Sequence, residues 1–213
     1  LIPGDNVSSA KSGVPEVRAI RPGAPLAYAD VREILIIKCD HLGDFVLAMR
    51  AMTILRRGFP DAKITLLCGS WNEEFALGSN LFDRIICVDI FSENSSDATS
   101  KFDRANFARH SFPVFDVALD LRMGPETRFL LNEVDARMRA GVEYPLVAGP
   151  MMDFSIANPP MTIAGKPNYA SHAQSLLAGF AEGIVSVFPA NPATPAGLQP
   201  RTTEHSSPRS RSE

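Results

Sequence analysis

Residues 34–47 read Ile-Leu-Ile-Ile-Lys-Cys-Asp-His-Leu-Gly-Asp-Phe-Val-Leu, and this stretch determines the fold class of the chain. Four apolar residues come first, and so short an unbroken apolar run predicts a strand that is covered on both faces. A polar turn with Gly43 and Asp44 follows, and a helical apolar pattern begins there. A glycine and a carboxylate between a central parallel strand and its following helix lie at the ligand crevice of an open α/β sheet. The stretch therefore predicts an α/β fold and a candidate functional residue, Asp44.

Strands and helices continue to alternate after this stretch. We predict strands at 33–38, 63–68, 84–88, 115–121 and 137–142, and helices at 44–57, 71–77 and 170–181. Short connections between such alternating elements indicate a doubly wound, Rossmann-like, mostly parallel sheet with helices on both faces. Residues 145–168 are rich in Pro, Gly and Met and are predicted to form an irregular loop.

The first helix has a clear apolar stripe. That stripe consists of Phe45, Ala48, Met52 and Leu55. The two arginines of the last turn, at positions 56 and 57, mostly fall off it, and we expect their charges to favour the negative end of the helix dipole.

Composition changes near both ends of the chain. Residues 1–32 carry Gly, Pro and Ser with little periodicity, which predicts a flexible leader. Residues 189–213 hold five prolines and few apolar side chains. Such a segment cannot bury enough surface to offset the entropy of ordering it, so we predict a disordered tail. A single domain is expected over 33–188.

The bulk properties exclude several classes of protein. The chain has 213 residues and a formal net charge of −3, and this acidic balance does not indicate nucleic-acid binding. No apolar run approaches the roughly 18 residues of a membrane span, and no secretory signal is expected at residues 1–30. Three cysteines without metal-ligand spacing predict buried reduced thiols, no metal site and a cytoplasmic location.

Several motifs follow one another along the chain. The first is Ile-Leu-Ile-Ile-Lys-x-Asp-x-Leu-Gly-Asp-Phe-Val-Leu at 34–47, followed by Phe-Pro-Asp-Ala-Lys-Ile at 59–64. Phe-Asp-Arg-Ile-Ile at 82–86 and Phe-Asp-Val-Ala-Leu-Asp-Leu-Arg at 115–122 come later. The order of these motifs resembles the amino-terminal half of glycosyltransferase family 9, the bacterial lipopolysaccharide heptosyltransferases and their relatives. The similarity extends over residues 33–188.

The resemblance implies the amino-terminal half of a GT-B architecture, in which two Rossmann-like domains face each other across a cleft. The first domain would hold a glycan or lipid-linked sugar acceptor, and the second a nucleotide-sugar donor. It also implies transfer of a heptose or similar sugar with inversion, no metal or other cofactor, and a cytoplasmic protein that could associate peripherally with the inner membrane. The family's donor-binding motifs have no counterpart here, so we expect a truncated, acceptor-side protein.

Asp44 is the predicted catalytic base. Inverting sugar transfer needs a group that takes the proton from the attacking hydroxyl, and Asp44 matches the family's proposed base. The start of a helix favours the ionised carboxylate. The alternative is an amino-terminal helix cap, a common role of aspartate.

Four further residues are predicted to bind the acceptor. Gly43 would permit a tight turn and close approach of a sugar. Lys38 and Arg122, which follow strands, could hold an anionic acceptor group, and His41 could donate a hydrogen bond. The alternatives are an ordinary strand-end lysine, an Arg122 ion pair with Glu126 or Asp120, and an exposed loop histidine.

Other functions stay open at this point. Asp40 with Asp44 could form a glycoside hydrolase carboxylate pair, but a turn-capping role for Asp40 is favoured. Trp71, the only tryptophan, could stack on a sugar or could pack against the protein. The chain could also be a non-catalytic sugar- or partner-binding domain, or an unrelated doubly wound nucleotide-binding fold.

Overall fold

A computed structural model describes residues 17–20, 31–91, 102–143, 152–156, 162–163, 166–167, 173–188 and 204–206. The strands are β1 (Val17–Ile20), β2 (Glu33–Lys38), β3 (Lys63–Cys68), β4 (Arg84–Cys87), β5 (Phe115–Asp120), β6 (Ala136–Val142), β7 (Phe154–Ile156), β8 (Thr162–Ile163), β9 (Lys166–Pro167) and β10 (Glu204–Ser206). The helices are α1 (Leu42–Gly58), α2 (Glu73–Ser79), α3 (Arg104–Phe107) and α4 (Ala173–Val187), with short 3-10 turns at Ser70–Asn72 and Arg128–Asn132.

One sheet of eight strands organises the described residues, in the order β1-β7-β6-β5-β2-β3-β4-β10. The strands from β7 to β4 are mutually parallel, β10 adds a parallel edge, and β1 adds an antiparallel one. The chain proceeds from β2 to β3 and β4 on one side and then returns to β5 on the other side of β2. The reversal of strand order therefore falls between β2 and β5, which is where ligands bind in open α/β sheets.

Strand β2 is central and buried on both faces. Ile34 and Ile36 point to one hydrophobic cluster, and Leu35 and Ile37 point to the other. The period-2 alternation of side chains thus explains why the whole run is apolar. The Rossmann-like α/β prediction is confirmed.

Helices α1 and α4 pack against each other on one face of the sheet. The predicted apolar stripe of α1 is buried, as are Leu176, Leu177 and Phe180 of α4. The other face is covered by α3 and the turn at Arg128–Asn132, through Phe107, Leu130 and Leu131. Helices on both faces are therefore confirmed.

Arg56 corrects the expectation for the end of α1. Only 1% of this residue is exposed, whereas Arg57 is exposed as expected. The Arg56 guanidinium donates to the carbonyls of Leu81 and Ala62, both at 2.8 Å, and to Asp83 at 2.5 Å. It lies in the core because these three acceptors satisfy its charge and its donors.

Several predicted boundaries shift. Helix α1 begins at Leu42 instead of 44, and α4 is Ala173–Val187 instead of 170–181. Within 145–168, the short strands β7, β8 and β9 replace parts of the predicted irregular loop.

The predicted leader and tail are only partly described. Val17–Ile20 forms strand β1, and Glu204–Ser206 pairs with β4, so neither stretch is irregular. Most other positions of 1–32 and 189–213 lie outside the described residues. Among the described residues, no helix combines the length and apolar character needed to cross a bilayer.

Candidate functional site

Asp44 lies in the first turn of α1, beyond the carboxyl end of the central strand. It shares a helix face with Ala48, Ala51 and Leu55, three buried residues that face the sheet. Asp44 is exposed although it is on this inward stripe, because β2 ends at Lys38 and the first turn projects past the sheet edge. Asp44 therefore lies beyond the carboxyl end of β2, the strand next to which the strand order reverses.

The capping alternative for Asp44 is wrong. The residue at the N-cap is His41, with extended backbone angles, and Asp44 is the third residue of the helix. An acidic side chain in the first turn still benefits from the helix dipole. The described part of the chain offers the Asp44 carboxylate no hydrogen bond, which leaves it available to a ligand.

Gly43 provides open space next to this carboxylate. A Cβ atom added at Gly43 would meet no heavy atom within 4 Å. The residue lies inside the first helical turn and does not have a positive φ, so the predicted tight turn is wrong. The absence of a side chain at Gly43 leaves open space at the amino-terminal end of α1.

Lys38 is buried at the end of β2, with 2% of its surface exposed. Its ammonium group pairs with the Asp40 carboxylate and donates to the Leu121 carbonyl at 3.1 Å. Burial lowers the pKa of Lys38 to about 8, although the charges of Asp120 and Asp44 oppose that shift. The amine is therefore buried at the carboxyl end of β2, and it is close enough to Asp44 to interact with its charge.

Arg122 follows β5 and joins the same cluster. Its guanidinium pairs with Asp40 and with Glu126, the latter at 2.9 Å, and it lies 4.5 Å from the centre of the Phe91 ring. The alternative ion pair of Arg122 with Glu126 is confirmed. The hydrogen bond from Arg122 to Asp120 comes from the backbone N–H of Arg122 and not from its guanidinium. The structure thus brings Lys38 and Arg122 together through the Asp40 carboxylate, for which the sequence prediction favoured a turn-capping role.

Asp40 ties three strand ends together. Its side chain links Lys38 after β2 to Arg122 after β5, and its backbone carbonyl accepts from Trp71 at 2.9 Å and from Asn72 at 2.7 Å, both after β3. Only 3% of Asp40 is exposed, so it is a poor partner for Asp44 in hydrolysis. The position of Asp40 two residues after Lys38, at the same sheet edge as Arg122, is the signal that could have identified this role.

Trp71 and His41 are exposed side chains of the candidate site, next to the end of β3. Trp71 packs its ring over Gly69 and remains 39% exposed, so the packing alternative holds for one face of the ring. The His41 ring lies 6.2 Å from it, centre to centre, and is exposed. Both side chains are at the carboxyl edge, where the sequence predicted acceptor contacts.

A second buried cluster, formed by Asp120, Thr127 and Arg128, lies at the end of β5. Asp120 is fully buried and accepts from the Thr127 hydroxyl and the Arg128 guanidinium, each at 3.0 Å. Burial raises the pKa of Asp120, and the Arg128 charge opposes that shift. Arg128 also donates to the Val142 carbonyl at 2.8 Å, so the pair joins the ends of β5 and β6. The sequence prediction missed this pair because it considered Asp120 only as a partner of Arg122.

No group of histidine, cysteine or carboxylate side chains suited to a metal ion occurs among the residues that the structure describes. All three cysteines are free thiols, and Cys39 and Cys68 are buried. The prediction of buried reduced thiols therefore holds for these two, whereas Cys87 is partly exposed.

Comparisons with known proteins place this geometry in context. Neither the protein-family models nor the curated proteins yield a match to this sequence. A solved structure of the glycosyl transferase family 9 from Veillonella parvula DSM 2008 is similar over 85% of this chain and 48% of its own, with 16% identity and a TM-score of 0.51. The chain shares that protein's fold. The resemblance carried by residues 34–47 is thus confirmed at the level of fold.

Two structures of E. coli heptosyltransferase WaaC are also similar. The one with ADP aligns over 76% of this chain and 49% of its own, with 14% identity and a TM-score of 0.49. The one with ADP-2-deoxy-2-fluoro heptose aligns over 76% and 50%, with 15% identity and a TM-score of 0.47. The chain spans about half the length of the solved structures it matches.

Proposed function

We propose that this chain is the acceptor-side domain of an inverting glycosyltransferase of the family 9 type, with Asp44 as the base. The observation that carries the proposal is the exposed Asp44 carboxylate on the sheet-facing stripe of α1, at the reversal of strand order. Open space above Gly43 lets an acceptor hydroxyl come close to it. The shared fold with a family 9 structure supports the same proposal.

In the proposed reaction, Asp44 accepts the proton of the attacking hydroxyl as that oxygen bonds to the anomeric carbon of the donor. The nucleotide diphosphate leaves from the opposite face, which inverts the configuration. Asp44 lies in the first turn of α1, beside the partial positive charge of the helix end. A nucleotide-sugar donor, with a heptose or similar sugar, would be bound by a second domain, since this chain covers 48% of the matched family 9 structure. A glycan or lipopolysaccharide acceptor, and peripheral contact with the inner membrane, belong to the same proposal.

Asp44→Asn tests the base directly. We expect turnover to fall by at least ~10²-fold, since the amide keeps the size of the side chain and removes its basicity. Transfer is measured with this chain combined with a donor-binding domain, and calorimetry with acceptor saccharides checks that binding persists. Asp61→Asn is the matched control, because Asp61 is exposed before β3, at the opposite edge of the sheet. Turnover of Asp44→Asn equal to that of the control would remove Asp44 from the mechanism.

A further inference from the structure

We propose that Trp71 positions the acceptor by stacking on one of its sugar rings, next to the proposed base Asp44. This inference rests on the proposed function and adds a binding residue for the acceptor, at a position where the sequence alone left stacking and packing as alternatives. The negative face of an aromatic ring attracts the weakly positive C–H groups on the face of a pyranose. Such a contact is equally available to acceptors that carry phosphate or carboxylate groups elsewhere.

The first step concerns the orientation of the indole. A tryptophan at the protein surface ordinarily keeps its N–H in water and packs its carbon surface against the protein. Trp71 has the reverse arrangement, because its Nε1–H donates to the Asp40 carbonyl at 2.9 Å while 39% of the residue remains exposed. Nε1 is the only polar atom of this side chain, so the surface that the ring offers to a ligand consists of carbon.

The second step concerns how firmly the ring is held. One edge of the indole covers Gly69, where an added Cβ atom would lie 2.3 Å from the ring. The Asp40 carbonyl that holds the indole also accepts from the side-chain amide of Asn72 at 2.7 Å, and Asn72 is fully buried. The indole is therefore fixed to the turn after β2 before any ligand binds. A ligand that stacks on it loses little affinity to the ordering of this side chain.

The third step concerns the path from Trp71 to Asp44. The ring centres of Trp71 and His41 are 6.2 Å apart, with an angle of 31° between the ring planes. His41 is the N-cap of α1, and its carbonyl accepts the N–H of Phe45 at 3.0 Å, so His41 and Asp44 belong to the same helical turn and are neighbours. Trp71, His41 and Asp44 are all exposed. An acceptor whose hydroxyl meets Asp44 can therefore extend past His41 and lie on the indole.

The emission of Trp71 provides a direct signature of stacking, because the chain has a single tryptophan. The probe is a deacylated lipopolysaccharide core oligosaccharide, titrated into the chain and followed by emission and by calorimetry. We expect the emission to change at the same oligosaccharide concentrations as the calorimetric signal, in wild type and in Asp44→Asn. Binding of the oligosaccharide by wild type without a change in emission would overturn the inference while leaving the proposed function intact.

Two substitutions of Trp71 separate stacking from a merely structural role. Trp71→Leu removes the aromatic face, and we expect it to bind the oligosaccharide at least ~5-fold more weakly than wild type in calorimetry. Trp71→Phe restores an aromatic face without the N–H and should recover the affinity to within ~3-fold of wild type. If Trp71→Leu does not fold, the emission titration of wild type decides the question.

Phe75→Leu is the matched control. Phe75 is as exposed as Trp71, at 45% against 39%, but its ring packs edge-on against Phe45, 6.2 Å away between centres. We expect Phe75→Leu to change the affinity by less than ~2-fold. Equal affinities of Trp71→Leu and wild type, or equal losses in Trp71→Leu and Phe75→Leu, would overturn the inference. Undiminished turnover of Asp44→Asn would instead refute the proposed function.

Discussion

Replacing Arg56 by Met should destabilise the fold strongly, whereas replacing its neighbour Arg57 should not. The Met side chain fills much of the same volume but leaves the Leu81 and Ala62 carbonyls and the Asp83 carboxylate without the guanidinium that donates to them. Removing one partner from a buried charged network typically lowers stability by about 3–5 kcal/mol. Arg57 is exposed in the same helical turn, so Arg57→Met should change stability by less than ~0.5 kcal/mol.

Urea unfolding followed by Trp71 emission measures both variants. A loss of about 3–5 kcal/mol corresponds to a fall in melting temperature of roughly 10 °C for a chain of this length. Arg56→Lys should fall between wild type and Arg56→Met, because an ammonium group retains the charge but cannot reach all three acceptors at once. Equal stability of the Arg56→Met and Arg57→Met proteins would refute the reasoning that the buried guanidinium network supports this end of α1.

Three further outcomes are expected. Because the folded pKa of Lys38, about 8, lies below the ordinary 10.5, the folded state loses this proton first, and the free energy of unfolding should rise between those two pH values by roughly 3 kcal/mol. Urea titrations across that range check the rise, which Lys38→Met should abolish. Gly43→Ala should stabilise the chain by up to ~1 kcal/mol, since its Cβ meets nothing, and should weaken saccharide binding measured by calorimetry. Gly58→Ala should instead lower the unfolding free energy by about 1–3 kcal/mol, because its Cβ would lie 2.3 Å from Val185; equal shifts for the two glycine variants would contradict this account.

The elements near Asp44 could be predicted because their signals are local. The apolar run at 34–37 predicts a strand covered on both faces, and Phe45, Ala48, Met52 and Leu55 repeat with helical period. Asp44 and Gly43 follow from their position between those two elements. The boundary errors at α1 and α4 also have a local cause, since a helix end depends on capping geometry that a pattern of apolar residues does not contain.

The charge network of the candidate site could not be predicted in the same way. Asp40 and Arg122 are 82 positions apart and meet only because β5 returns to the side of β2 opposite β3. The sequence prediction weighed each charged residue with its near neighbours, so it paired Arg122 with Glu126 correctly and missed Asp40. Arg56 shows the same limit, since its two carbonyl acceptors belong to the backbone of other segments and have no sequence signal.

The sequence by itself determined the α/β class, the central position of the strand at 33–38 and the place of Asp44 between that strand and the following helix, because apolar periodicity reports which face of an element is buried. Only the tertiary structure decided that Lys38 and Arg122 are engaged by Asp40 and that Asp44 remains exposed. The physical reason is that ion pairing and exposure depend on distances between strand ends, and strand order sets those distances.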